Sequence, residues 1–201
     1  VSPLAGYVQS QVAGPLPSPA GAAGEEPGFD GYACAWWESL EGFREAEASP
    51  AWRGLIADGA LIFDMDWLWN MSAHLAEHVV VDGPRSAVKA VWVARFGGGT
   101  ARDQGRERWE STYGPLLGRL GADRYVQSDV VGPIGSDGND PGAEIGFDVL
   151  AECWFGDEPR LRDALRDPEW AAAAEAARGA LVPERLWAAV VDERAVVELP
   201  A

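Results

Sequence analysis

The chain repeats part of its own sequence, and this repeat restricts its fold more than any other feature does. The tetrapeptide Tyr7–Ser10 (YVQS) returns as Tyr125–Ser128. Further identities keep the same spacing of 118 residues, with no gap, as far as the pair Trp52 and Trp170. This period is much longer than the roughly 20 to 50 residues of solenoid repeats. The repeat therefore predicts two copies of one small domain.

The two domains are predicted at residues 1–83 and 84–201, and the second can be interpreted completely. Alternating apolar and β-branched residues predict its strands, and longer segments between turn residues predict its helices. The elements are strand 86–96, helix 100–120, strand 122–131, strand 147–155, helix 158–180 and strand 187–199. This β-α-β-β-α-β order is that of a ferredoxin-like unit.

The first copy has the later elements of this unit but not its first strand and helix. Its predicted elements are strand 6–12, strand 29–37, helix 39–62 and strand 75–82. Because the first strand of such a unit is central in the sheet, its absence would leave two rows of backbone groups without partners. We expect roughly 35 further residues upstream of Val1 in the natural protein. The alternative is that another chain supplies the strand.

Composition excludes several classes of partner. The formal charge of −16 disfavours nucleic acid and anionic membrane surfaces, since both are polyanions. No apolar run is long enough for a membrane span, and the two cysteines do not make a disulfide framework, so a cytoplasmic protein is expected. Ten tryptophans suggest cavities lined by aromatic side chains as well as packed cores.

Four segments of the second copy resemble the EthD family of the dimeric α+β barrel superfamily. They are Trp109–Leu116 (WESTYGPL, for the family's W-x-x-x-H-G-P-L), Arg124–Ser128 (RYVQS), Phe147–Phe155 (FDVLAECWF) and Asp167–Trp170 (DPEW). The resemblance implies an α+β fold in which two tandem ferredoxin-like units pack as an intramolecular dimeric α+β barrel. Tyr113 stands where the family usually has histidine.

The resemblance also implies a function. Similar enzymes are small dehydratases, cyclases and oxygenases of polyketide tailoring that use no cofactor and hold substrates between sheet and helices. We therefore expect an enzyme of secondary metabolism that acts by acid-base chemistry on an aromatic or polyketide-like intermediate, without cofactor or metal. A cofactor-free monooxygenase and a non-catalytic small-molecule binding protein are the alternatives, and homodimer formation is left open.

The first copy contains both histidines of the chain, His74 and His78, at the start of its last strand. Either could serve as a general base near neutral pH. The preceding segment alternates acids with large apolar residues, so that Asp64 or Asp66 could orient the base or donate a proton. No third ligand is positioned to complete a metal site.

The second copy offers Tyr113 and Glu152. Tyr113 could donate a hydrogen bond to a developing enolate, or it could be silent. Glu152 lies within an apolar strand, where a carboxylate is destabilising unless it lines a wet cavity or forms a salt bridge, for which Arg95 and Arg124 are candidates. The aromatic and polar residues expected to bind substrate are Trp36, Trp67, Trp69, Trp109, Tyr125, Gln127 and Trp154.

Overall fold

The computed structural model of the chain describes residues 4–16, 29–61, 64, 71–96, 102–134, 145–177 and 181–197. The strands are β1 (Leu4–Pro15), β2 (Gly31–Trp37), β3 (Ala73–Val81), β4 (Val88–Phe96), β5 (Arg124–Pro133), β6 (Val149–Phe155) and β7 (Leu181–Val197). The helices are α1 (Leu40–Glu47), α2 (Pro50–Gly59), α3 (Arg102–Arg119), α4 (Glu158–Arg166) and α5 (Pro168–Ala177).

All seven strands form one antiparallel sheet in the order β2-β1-β7-β4-β6-β5-β3. Two pairings join the halves of the chain, because β1 pairs with β7 and β3 pairs with β5. The sheet curls until its two edges approach each other: the indole Nε1 of Trp36 on β2 donates a hydrogen bond of 2.9 Å to Glu77 Oε2 on β3. This curled sheet with helices is the predicted α+β barrel architecture, which is confirmed.

The order β7-β4-β6-β5 within the second half is that of a ferredoxin-like unit. Two of the three long helices predicted from sequence, 39–62 and 158–180, are each divided, as α1 with α2 and as α4 with α5. Ser49 begins the second helix of the first half, since its side chain accepts from the backbone N–H of Trp52 and Pro50 follows at the first helical position. Pro168 occupies the first position of α5 in the same way.

The two faces of the sheet carry separate apolar cores. The outer face packs against α3, α4 and α5 through residues such as Trp92, Trp109 and Phe155. The inner face encloses Val91, Leu150 and their neighbours inside the curl. Because side chains alternate along a strand, each of β4 and β6 contributes to both cores.

The first half of the sheet has less cover on its outer face than the second. Leu55 on α2 is 61% exposed, whereas its repeat counterpart Ala173 on α5 is buried. Gln9 is exposed and Gln127 is fully buried. Among the described residues, β2 and β3 have a free edge each. The upstream strand expected from the sequence, and the division of the chain at residue 83, stay predictions.

A charged network lies on the inner face around Lys89, the single lysine of the chain. Its Nζ is 2.5 Å from Glu152 Oε1 and also contacts Glu193 Oε2. Tyr32 on β2 donates a hydrogen bond of 2.7 Å to the same Glu152 oxygen. Burial lowers the pKa of Lys89, but the two carboxylates raise it more, so its net shift is upward. We call Lys89, Glu152, Glu193 and Tyr32 the Lys89 network.

No helix among the described residues is long and apolar enough to cross a membrane.

Replacement of Lys89 by Met should destabilise the fold strongly. Lys89 is 2% exposed and Glu152 is 1% exposed, so the variant leaves a buried carboxylate without its cation. Removing one partner of a buried ion pair costs about 3–5 kcal/mol. Urea unfolding measures this loss. Arg162→Met, which breaks an exposed pair with Glu158, is the control and should cost less than about 1 kcal/mol. Equal losses of unfolding free energy in the two variants would contradict a stabilising role of the Lys89 network.

Candidate functional site

Helix α3 is held against the outer face of the sheet by two contacts, one with β5 and one with the end of β4. The indole Nε1 of Trp109 on α3 donates a hydrogen bond of 2.8 Å to Tyr125 OH, and both side chains are buried. At the start of the helix, a Cβ added at Gly105 would lie only 2.5 Å from the ring of Phe96, so the backbone approaches the sheet closely there. The next residue, Arg106, is thereby placed above the far end of β5.

Asp129 on β5 is the centre of a polar cluster beneath Arg106. Its Oδ2 lies 3.1 Å from Arg106 Nε and 3.4 Å from His78 Nε2 on β3, and its Oδ1 accepts a hydrogen bond of 3.2 Å from Gln127 Nε2. Glu110, one turn after Arg106, has a carboxylate oxygen within 4.8 Å of both the imidazole and Asp129. We call these five residues the Asp129 cluster.

The strand pairing explains how His78 reaches this cluster. His78 on β3 lies directly opposite Gln127 on β5, so the two side chains share the outer face of the sheet. The His78 side chain is 52% exposed and that of Asp129 is 1% exposed. The cluster thus presents a solvent-accessible imidazole whose Nε2 faces a buried carboxylate. This arrangement suits a general base, because the carboxylate orients the ring and stabilises the imidazolium that forms when the ring accepts a proton.

The cluster also offers three potential metal ligands, from His78, Glu110 and Asp129. Zinc bound by nitrogen and carboxylate ligands is usually four-coordinate, with donors about 2.0–2.2 Å from the ion. Here the guanidinium of Arg106 lies 3.1 Å from the same Asp129 oxygen that would bind the ion. A fixed positive charge at that distance opposes a cation, so the donor set fits acid-base chemistry better than metal binding.

The predicted site residues divide between the two faces of the sheet. On the outer face, His78 and Gln127 are members of the Asp129 cluster, and Trp109 and Tyr125 lie beside it on the same helix and strand. Tyr113 is in α3, three residues after Glu110, and its side chain lies outside the described part. On the inner face are Glu152, Trp154 and Trp36.

Three further candidates lie outside the described residues: Asp66, Trp67 and Trp69. Asp64 is exposed. His74 is apart from the Asp129 cluster, since its ring packs edge to face on Phe43 of α1 with centroids 4.8 Å apart.

The structure gives Glu152 partners that differ from those considered from the sequence. It binds Lys89 and Tyr32, whereas Arg124 binds Asp82 at 2.8 Å and the carbonyl oxygen of Gly83. The Arg124 pairing was wrong because Arg124, which lies opposite Trp154 on β6, binds Asp82 and Gly83 just after β3, whereas Lys89 of the neighbouring strand β4 reaches Glu152. The Lys89 cation and the Arg85 guanidinium both lie over the ring of Trp154, each 4.9 Å from its centroid. This aromatic residue therefore packs within the charged interior.

Sequence reasoning missed Asp129, Arg106, Glu110 and Lys89. Asp129 had a signal, since it continues the alternation of Tyr125 and Gln127 and replaces Gln11 of the first copy. Lys89 had a signal as well, since the single lysine of the chain lies within an apolar strand. Arg106 and Glu110 lie in a helix rich in charged residues, where nothing distinguished them.

The curled antiparallel sheet with helices on its outer face, together with a polar cluster between β5 and α3, defines an α+β barrel protein of the dimeric barrel type. More particularly, residues 98–181 match the EthD domain. This segment carries four of the five members of the Asp129 cluster, and His78 is contributed from outside it.

Two solved structures are similar to the chain in fold. One is a protein from Lactobacillus acidophilus NCFM assigned as a monooxygenase, with 7% identity and a TM-score of 0.51 over 98% of this chain and 80% of that one. The other is an anthrone oxidase-like protein, with 14% identity and a TM-score of 0.51 over 100% of this chain and 84% of that one. No curated protein matches the chain.

His74 should make the fold sensitive to acid. Burial lowers its pKa most, Glu47 raises it and Arg44 lowers it, and the net value is below the ordinary 6.5. As the pH falls, the unfolded chain therefore binds the proton before the folded chain does. The contribution of His74 to the free energy of unfolding is thus present above about pH 6.5 and is lost as the pH falls. In urea titrations between about pH 7.5 and about pH 5.5, His74→Gln should lose less stability than the parent. His78→Gln keeps His74 and should therefore retain the part of the acid-induced loss of stability that His74 causes. An unchanged slope in His74→Gln would contradict this role.

Proposed function

We propose that this protein is a cofactor-independent enzyme that removes a proton from an aromatic or polyketide-like intermediate of secondary metabolism. The reaction would be a cyclisation, a dehydration or an isomerisation, each of which begins by forming an enolate or phenolate. The observation that carries the proposal is the pairing of the exposed imidazole of His78 with the buried Asp129 carboxylate, 3.4 Å apart.

His78 is the general base in this proposal. Its Nε2 faces Asp129, which leaves Nδ1 to take the proton from the substrate. The charge on Asp129 is shared with Arg106, so the cluster gains a positive charge when the imidazole is protonated. The enolate that forms carries the opposite charge, and the two would attract each other across the site.

Glu110 and Tyr113 supply the remaining acid-base groups on α3. A carboxylate oxygen of Glu110 lies within reach of His78, which makes it the group that exchanges the proton with solvent or returns it to the product. Tyr113 follows on the same helix at the position where the family usually has histidine. We assign it the role of a hydrogen-bond donor to the enolate oxygen.

A cofactor-free monooxygenase is the second candidate, because both fold neighbours bear names from oxygen chemistry. Proton removal would be the same, and dioxygen would then oxidise the carbanion. For an anthrone the balance is one anthrone and one dioxygen molecule giving one anthraquinone and one water. The two candidates share the base and differ in whether oxygen is consumed.

Anthrone is a suitable probe, since its methylene group opposite the carbonyl exchanges hydrogen through the enolate. In D₂O without oxygen, the protein should accelerate deuterium incorporation at this carbon, measured by NMR. His78→Asn should lower the rate by about 10²- to 10⁴-fold, because a single general base is typically worth that much. His74→Asn, which removes the other histidine, is the control and should retain the rate.

The outcomes separate the candidates. Exchange without oxygen consumption supports the cyclase or isomerase, and oxygen uptake with anthraquinone formation supports the monooxygenase. Binding of anthrone without exchange would indicate a non-catalytic binding protein. Full activity in His78→Asn would show that His78 is not the base.

A further inference from the structure

The amide of Gln127 has a fixed orientation in the Asp129 cluster. Its Nε2 donates to Asp129 Oδ1 at 3.2 Å. A carboxylate only accepts hydrogen bonds, so the NH₂ group and not the carbonyl oxygen must face it. Gln127 Oε1 therefore points to the other side of the amide.

That oxygen is a buried acceptor without a donor. The Gln127 side chain is 0% exposed, and within the described part of the chain no group donates to its Oε1. Buried acceptors are nearly always paired, because removing one from water without a replacement donor is destabilising. An unpaired one in the middle of a polar cluster points to a ligand that supplies the donor.

The equivalent residue in the first half shows that burial is specific to this site. Gln9 occupies the same position of the repeat on β1, but it is exposed, and its Nε2 donates to Tyr7 OH at 3.2 Å. Water can reach the Gln9 amide. Gln127 differs because α3 covers β5 there.

Two more atoms of the cluster lack hydrogen bonds within the described part of the chain: Asp129 Oδ2 and Arg106 Nε. They lie 3.1 Å apart but without hydrogen-bond geometry. Together with Gln127 Oε1, the cluster thus presents two acceptors and one donor. A ligand complementary to this cluster carries hydroxyl groups that donate hydrogen bonds to the two acceptors and an oxygen that accepts one from Arg106.

We propose that the Asp129 cluster recognises the hydroxyl group of a phenol or an enol, with Gln127 Oε1 as its acceptor. This deepens the proposed function, on which it rests, by naming the group that positions the substrate beside His78. Gln127 is a specificity residue in this assignment and takes no part in proton transfer. A phenol can donate its hydroxyl proton to Gln127 Oε1 and accept at its oxygen from Arg106. Its methyl ether keeps the oxygen but has no proton to donate to Gln127.

The test compares 2-naphthol with 2-methoxynaphthalene, which have the same ring system and differ in the hydroxyl proton. Binding is measured by quenching of tryptophan fluorescence, with no turnover required. The parent chain should bind 2-naphthol at least about 10-fold more tightly, because a site built around a hydroxyl rejects analogues that lack it. Gln127→Met keeps the length of the side chain and removes the acceptor, so the ratio should fall to about one.

Gln9→Met is the matched control, since it makes the same change at the exposed repeat position and should leave the ratio unaltered. If Gln127→Met does not fold, Gln127→Asn withdraws the oxygen by one methylene group and should also lower the ratio. Equal affinity of the parent chain for both probes would overturn the proposal, as would an unchanged ratio in a folded Gln127 variant. Selective binding of 2-naphthol without exchange of anthrone would overturn the proposed function alone.

Discussion

The fold depends on the burial of a single lysine among two carboxylates. Lys89 on β4 contacts Glu152 on β6 and Glu193 on β7, and its Nζ also donates to Ser10 on β1 at 3.4 Å. Through Glu152, Tyr32 of β2 joins the same network. Five strands from both halves of the chain are thus tied to one cation. Since an unpaired charge in the interior is destabilising, the curled sheet keeps each buried charge beside its partner.

The two faces of the curled sheet differ in their suitability for chemistry. The inner charges compensate one another by pairing, so they are poorly suited to exchange protons with a substrate. The outer face of β5 carries Gln127 and Asp129, whose polar atoms are only partly paired, next to an imidazole that solvent can reach. Alternation along the strands keeps the two sets apart, because neighbouring residues of β5 and β6 face opposite sides.

Much of the fold could be predicted from the sequence, because repeat, strand pattern and turn residues agree. The site could be predicted less well from the sequence, since it depends on the register of strand pairing. His78 meets Asp129 only because β3 pairs with β5, with a register shift between His74 and Leu75 that no local pattern reveals. The partner of Glu152 likewise follows from the alignment of β4 with β6 and from which face β6 turns inward. Long-range pairing of this kind has no signature in one sequence.

The differences between the repeat copies show how an asymmetric site can arise from similar parts. Where the first copy has Gln11 and Cys34, the second has Asp129 and Glu152. The imidazole that faces Asp129 comes from β3 of the first half, whereas the carboxylates and the covering helix come from the second. Two identical units would place the same residues at both ends of the barrel. If the chain is a fusion of two units, as the repeat predicts, each copy could lose the site residues that the other copy supplies. The Asp129 cluster then requires both copies.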